Sequence, residues 1–136
     1  MPIYNGIDFI EESVNSIINQ TYDKWELIIG INGHPKNSEI YKKACKYQNK
    51  KINVLDLTGY NGKSNSLNEM VKYCNYDYVA ILDVDDIWLP NKLFEQIPFI
   101  KKYDVVGTKC KYFGDRNGSP NTPVGDLSKF NFLNVN

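Results

Sequence analysis

Apolar positions along the chain switch between two spacings. Ile10, Val14, Ile17 and Ile18 fall at i, i+4, i+7 and i+8, the stripe of an amphipathic helix over residues 8–20. Trp25-Glu26-Leu27-Ile28-Ile29-Gly30-Ile31 follows, a β-rich run that stops at an Asn32-Gly33 turn. Over residues 37–48, Ile40, Ala44 and Tyr47 share a face and lysines fill the rest; this reads as a surface helix with a solvated basic side, the alternative being a polyanion site. Residues 52–57 make a second β run closed by Thr58-Gly59. Leu67, Met70, Val71 and Cys74 then restore the helical stripe. Tyr78-Val79-Ala80-Ile81-Leu82 is a third, almost wholly apolar strand. Pro90 suits the first turn of a helix carrying Leu93, Ile97 and Ile100, which Pro98 should kink or shorten. Residues 104–113 read as a longer strand, and Asp115-Arg116-Asn117-Gly118 as a turn.

Strands alternating with helices predict an α/β fold: βαβ units, right-handed crossovers, and a mainly parallel sheet with helices on both faces. Near-continuous apolar strands agree, because a parallel sheet is covered on both sides. Ligands of such sheets bind beyond the carboxyl ends of the strands. That singles out Tyr4-Asn5-Gly6, Asn32-Gly33-His34, residues 58–63 and residues 83–86.

Length and composition narrow the partners. At 136 residues the chain is the size of one domain that needs no staple, and 42% apolar residues exclude a disordered chain. Sixteen basic and sixteen acidic residues cancel, which argues against a nucleic-acid-coating protein or a polybasic membrane binder. No apolar run reaches a membrane span, and the first residues do not open a signal peptide, so a cytoplasmic chain is the expectation. Cys45, Cys74 and Cys110 are far apart with no CxxC or Cys/His cluster; they read as small buried or half-buried thiols in a reducing compartment. The single histidine, His34, sits in a turn sequence and reads as solvated.

Asp83, Asp85 and Asp86 carry the most specific chemistry, with three carboxylates inside four residues at the mouth of an apolar strand. They repel one another, and a hard divalent cation that takes carboxylate oxygens together with substrate phosphates removes that cost. The alternative is a solvated acidic turn leading into a helix N-terminus, where negative charge is favoured.

In order, the motifs resemble those of the family 2 glycosyltransferases, nucleotide-sugar enzymes of the GT-A fold. Met1-Pro2-Ile3-Tyr4-Asn5-Gly6 is similar to the family's start motif. Residues 16–22 resemble the segment closing the first helix, and residues 25–29 its second strand. Asn61-Gly62-Lys63-Ser64-Asn65-Ser66-Leu67-Asn68 is similar to the loop and helix start ahead of the metal site, and residues 83–93 to the DxD motif and its following helix. The resemblance runs from residue 1 to about residue 113.

It implies a Rossmann-like nucleotide-diphospho-sugar transferase fold, truncated relative to the family. Residues 1–113 would be the nucleotide-sugar-binding part and residues 114–136 the start of the acceptor-side region. It also implies roles. Asp83 would contact the ribose or pyrophosphate and share the metal site, Asp85 would ligate Mn2+ or Mg2+ across the two phosphates, and Asp86 would be a supporting carboxylate or helix cap. Pro2, Tyr4 and Asn5 would line the base pocket, with the Tyr4 ring packing either on the base or on the core, and Lys63 would offset phosphate charge, the alternative being an exposed loop lysine. A metal and a nearby cation suit this chemistry, since breaking a sugar–phosphate bond leaves negative charge on the departing diphosphate.

Two departures bear on function. The family's pair of aspartates after the second strand stands here as Ile31 and Asn32; Asn32 keeps a carbonyl and an amide donor that can meet a uracil edge. The family's first strand begins ahead of Pro2, which leaves an under-paired edge and opens a route to a homodimer. The acceptor-side strands would follow Asn136, and none of Asp104, Asp115 or Asp126 matches the general base of inverting members.

The expectation is therefore a metal-dependent glycosyltransferase that uses a nucleotide-sugar, with UDP the leading base, and an acceptor that is a glycan, lipid or protein. The alternatives are a catalytically inactive nucleotide-binding fragment, or a haloacid-dehalogenase-like phosphatase, whose nucleophile motif residues 83–87 approach.

Overall fold

In the computed structural model of the chain, which describes residues 1–121 and 123–125, three strands form one sheet in the order β1–β2–β3. These are β1 (Pro2–Ile3), β2 (Leu27–Asn32) and β3 (Ile52–Leu57). Both pairings are parallel, Pro2 opposite Gly30 and Leu27 opposite Ile52. Between and after them run α1 (Ile10–Ile18), α2 (Glu39–Cys45), α3 (Lys63–Met70), a 3₁₀ turn over Val71–Tyr73, and α4 (Lys92–Ile100). The parallel α/β expectation holds.

The core follows from strand alternation. Leu27, Ile29 and Ile31 of β2, with Ile52 and Val54 of β3, pack on Ile10, Val14 and Ile17 of α1 and on Ile40 and Ala44 of α2. Ile28 and Leu57 turn to the opposite face and meet Met70 of α3. Helices thus cover both faces, and every residue of β2 is buried. Gly30 lies on the α3 face in close contact with side-chain ends: a Cβ there would come within 2.6 Å of both Leu57 Cδ1 and Met70 Sδ, which would have to shift.

The chain divides into two compact units, Met1–Lys102 and Tyr103–Asn136. Among the described residues, the first holds the sheet and every helix. In the second, the described residues hold one antiparallel bridge, Tyr112 to Gly118. Asp126 and the rest of residues 126–136, part of the expected acceptor-side region, lie outside the described residues.

Two expected strands do not form. Residues 78–82 have no ladder, and Tyr78, Val79 and Ile81 are each more than half exposed; only Leu82, 2% exposed, reaches the core. The strand they would extend from, β1, is two residues long, and Pro2 has no N–H to offer. Residues 104–111 likewise find no ladder partner among the described residues, and Val105 is 87% exposed. β propensity expresses fit to a half-buried pleated surface, and neither segment has one. α4 begins at Lys92, two residues after Pro90, and runs through Pro98 to Ile100. A proline in the last turn removes a single N–H bond there and does not end the helix. Cys45 and Cys74 are half-buried free thiols as expected, but Cys110 is exposed. No helix among the described residues is long and apolar enough to cross a membrane.

Candidate functional site

The carboxyl ends of the three strands open onto four loops of the first unit. The acidic loop after Leu82 is held from below. Its backbone closes a turn, with Asp86 N donating to Asp83 O at 3.1 Å, and Ser13 Oγ of α1 reaches the same carbonyl at 3.4 Å. Gly6, at φ 97°, lets the β1–α1 loop press on it, since a Cβ at that position would stand 2.9 Å from Val84 Cγ1. Further along, Gln20 locks the segment that follows the acidic residues. Its Nε2 donates to Leu89 O at 2.8 Å and its Oε1 accepts from Leu93 N at 3.0 Å, while Thr21 N donates to Pro90 O. The sequence resemblance at residues 16–22 and 83–93 thus has a physical content: the two motifs bond to each other. Sequence reasoning does not single out Gln20. Its one signal there is a polar residue just past the apolar stripe of α1, where a helix end leaves carbonyls open.

Lys63, the first residue of α3, sends its Nζ to within 2.6 Å of Asp83 Oδ2. Both side chains are well exposed, so this pair adds little to stability. What it shows is reach: the cation and the carboxylate implicated by the sequence meet across 20 residues. Asp85 is exposed. Burial, then the charges of Asp85 and Asp83, push the Asp86 carboxyl above its ordinary value, and Lys63 partly offsets them. The three acids are therefore crowded enough to feel one another. Among the described residues no group of three His, Cys, Asp or Glu side chains forms a metal cage.

At the other end of the site, Tyr4 is 62% exposed and Asn5 is exposed, while Pro2 is half-buried inside β1. Asn32, the last residue of β2, is only 6% exposed, and its side chain makes no hydrogen bond to protein among the described residues. By alternation it lies on the same face as Ile28 and Gly30, toward α3. No fully enclosed side-chain nitrogen or oxygen among the described residues lacks a partner, so the Asn32 amide keeps an opening to solvent.

His34 corrects the expectation of a merely solvated ring. It is half-buried, its Nε2 bonds the Tyr4 carbonyl, and its ring centroid lies 5.7 Å from that of Tyr4. Thr58 Oγ1 lies 2.8 Å from His34 O and 2.6 Å from Asp56 Oδ1, two acceptors that share its one hydroxyl proton. Thr58 and, more weakly, Lys36 hold the Asp56 carboxyl below its usual range. The loop position after an apolar strand is visible in the sequence; the neighbours across three loops are not.

A parallel sheet covered by helices, with polar loops gathered at its carboxyl edge, is the layout of Rossmann-like nucleotide-binding proteins. Known proteins give the class a family: the one described as Glycosyl transferase family 2 matches residues 1–133. The chain is 32% identical over 105 residues to the Escherichia coli UDP-Glc:alpha-D-GlcNAc-diphosphoundecaprenol beta-1,3-glucosyltransferase WfgD, covering 77% of this chain and 41% of that protein. It is 33% identical over 104 residues to an uncharacterized glycosyltransferase, RC0461, of Rickettsia conorii, covering 76% of this chain and 17% of that one. The chain belongs to the family 2 glycosyl transferases, and it spans about two-fifths or less of the length of these relatives.

Proposed function

We propose that this chain binds a nucleotide-diphospho-sugar, with UDP as the base, and serves as the donor side of a glycosyltransferase. The observation that carries this reading is the meeting of Lys63 and Asp83 beyond the strand ends, beside the crowded carboxylates of Asp85 and Asp86. A cation next to carboxylates suits a diphosphate bound with a divalent metal better than either ion alone. Asp85 and Asp83 would hold Mn2+ or Mg2+, which when bound supplies charge to stabilise the departing diphosphate. Lys63 would turn from Asp83 toward the phosphates. Tyr4 offers its ring to the base, with Pro2 and Asn5 beside it, and the Asn32 amide offers both a donor and an acceptor to the base edge. The free thiols fit a reducing, cytoplasmic setting, where the donor would be met. The acceptor is a glycan, lipid or protein hydroxyl.

Titration calorimetry with UDP and GDP, each with and without Mn2+, tests this. Metal-dependent UDP binding that disappears in Asp85→Ala is the expected result; no binding of either nucleotide sinks the reading. Because the chain spans about two-fifths or less of these relatives, the same site also serves a nucleotide-binding part without turnover. Slow hydrolysis of a UDP-sugar in the same samples separates an enzyme from that second reading.

A further inference from the structure

We infer that His34 is the positioning residue for the nucleobase end of the site, an inference that rests on the nucleotide reading above. A carbonyl oxygen can only accept, so the Nε2 that faces Tyr4 O carries its proton and donates. This one bond ties the loop after β1 to the loop after β2. The Thr58 hydroxyl ties the loop after β3 to the same residue, through His34 O at 2.8 Å. All three strand-end loops therefore converge on His34.

The consequence falls on the Tyr4 ring. That ring is 62% exposed, yet it packs closely against the loop after β2. Gly33, at φ 72°, lies directly beneath it: a Cβ there would stand 2.5 Å from Tyr4 Cε2. The His34 ring flanks it at 48° between planes. An aromatic face held out to solvent in one orientation has already met the ordering cost of receiving a flat base. His34 acts through Tyr4, whose carbonyl and ring it contacts.

Substitution by amides separates this role from a structural one. Glutamine places its amide nitrogen near the position of Nε2, asparagine near that of Nδ1. Calorimetry on the 136-residue chain would measure UDP, GDP and dTDP with Mn2+, and inorganic pyrophosphate with Mn2+ as a probe that lacks a base. With the ring unpinned, His34→Ala and His34→Asn should weaken UDP about tenfold, the scale of one base–aromatic stack. His34→Gln should stay within about threefold of the unsubstituted chain, and pyrophosphate should bind all four proteins alike. Equal UDP affinity in all four overturns the role of His34 while leaving the donor site intact. Parallel losses of UDP and pyrophosphate overturn it in favour of a general structural role. Should His34→Ala fail to fold, the Gln and Asn pair decides alone: rescue by Gln supports the inference, and no difference between them overturns it. Absence of nucleoside diphosphate binding in the unsubstituted chain overturns the nucleotide reading, and the positioning role with it.

Discussion

Two apolar runs of similar composition meet opposite fates in this molecule. Residues 27–32 form a strand paired on both sides and buried along its whole length; residues 78–82 form no strand and leave Tyr78, Val79 and Ile81 more than half exposed. Each run is rich in β-branched or aromatic residues. The difference lies in what stands beside them. β2 has β3 offering six residues of ladder and β1 backed by Met1, whose carbonyl accepts from Gly30 N at 3.0 Å. Residues 78–82 have no ladder partner among the described residues, and the outer strand of the sheet, β1, is two residues long with a proline in it. Backbone groups of a strand must find partners in a neighbouring ladder, and side-chain propensity does not supply them.

The sharpest break of this comparison is a pair of matched truncations. Ile29→Ala, at a fully buried position, should cost about 3 kcal/mol in urea unfolding, the transfer plus cavity cost of a core isoleucine. Ile81→Ala, at 59% exposure, should stay within about 0.5 kcal/mol. Equal costs would mean that residues 78–82 are paired in solution. Within the same run, Leu82→Ala should resemble Ile29→Ala, because Leu82 alone packs in the core.

A smaller effect tests how the acidic loop is held without a strand. Gln20→Ala removes the bonds that a buried amide makes to Leu89 O and Leu93 N and should cost about 1–2 kcal/mol by thermal or chemical denaturation. Amide exchange at residues 89–93 should quicken while that of β2 does not change. If β2 loosens equally, the clamp is global rather than local.

The smallest effects are electrostatic, and their signs differ. Asp86 has a raised pKa, so its charged form is disfavoured by the fold; it costs stability at neutral pH, and that cost is relieved as pH falls through the raised value. Asp86→Asn should therefore stabilise by about 0.5 kcal/mol or less at pH 7, after allowance for its exposure, and the gain should vanish in acid. Asp56 has a lowered pKa, so its contribution is present above the ordinary carboxylate range and lost as pH falls through the lower folded value. Thr58→Val, which removes its principal partner, should make the chain slightly less stable at pH 7, and the part of that loss that comes from Asp56 should vanish in strong acid. A stability difference that persists at low pH would assign the remainder to the lost contact with His34 O or to packing.

Much of the site is legible in the sequence because it is written in local order. Asp83, Asp85 and Lys63 stand in short motifs after apolar runs, and parallel α/β topology sends such positions to one edge of the sheet. Tyr4 and Asn32 follow from the same rule. His34 reads as solvated, because a turn sequence says nothing about the Tyr4 carbonyl 30 residues away. Gln20 escapes notice, and Thr58 is marked only as part of the loop 58–63, for the same reason: their partners lie in distant segments.

By itself, the sequence determined the helices, the two strands 27–32 and 52–57, the parallel α/β class, the family, and the positions of the acidic and basic site residues. These depend on periodicity and short-range order, which each segment carries alone. Only the tertiary structure decided which apolar runs become strands, that Gly30 sits close against Met70 and Leu57, and that Lys63 meets Asp83 while His34 joins three loops. A ladder, a close approach and a loop-to-loop hydrogen bond each need two distant segments, and no single segment encodes whether its partner arrives.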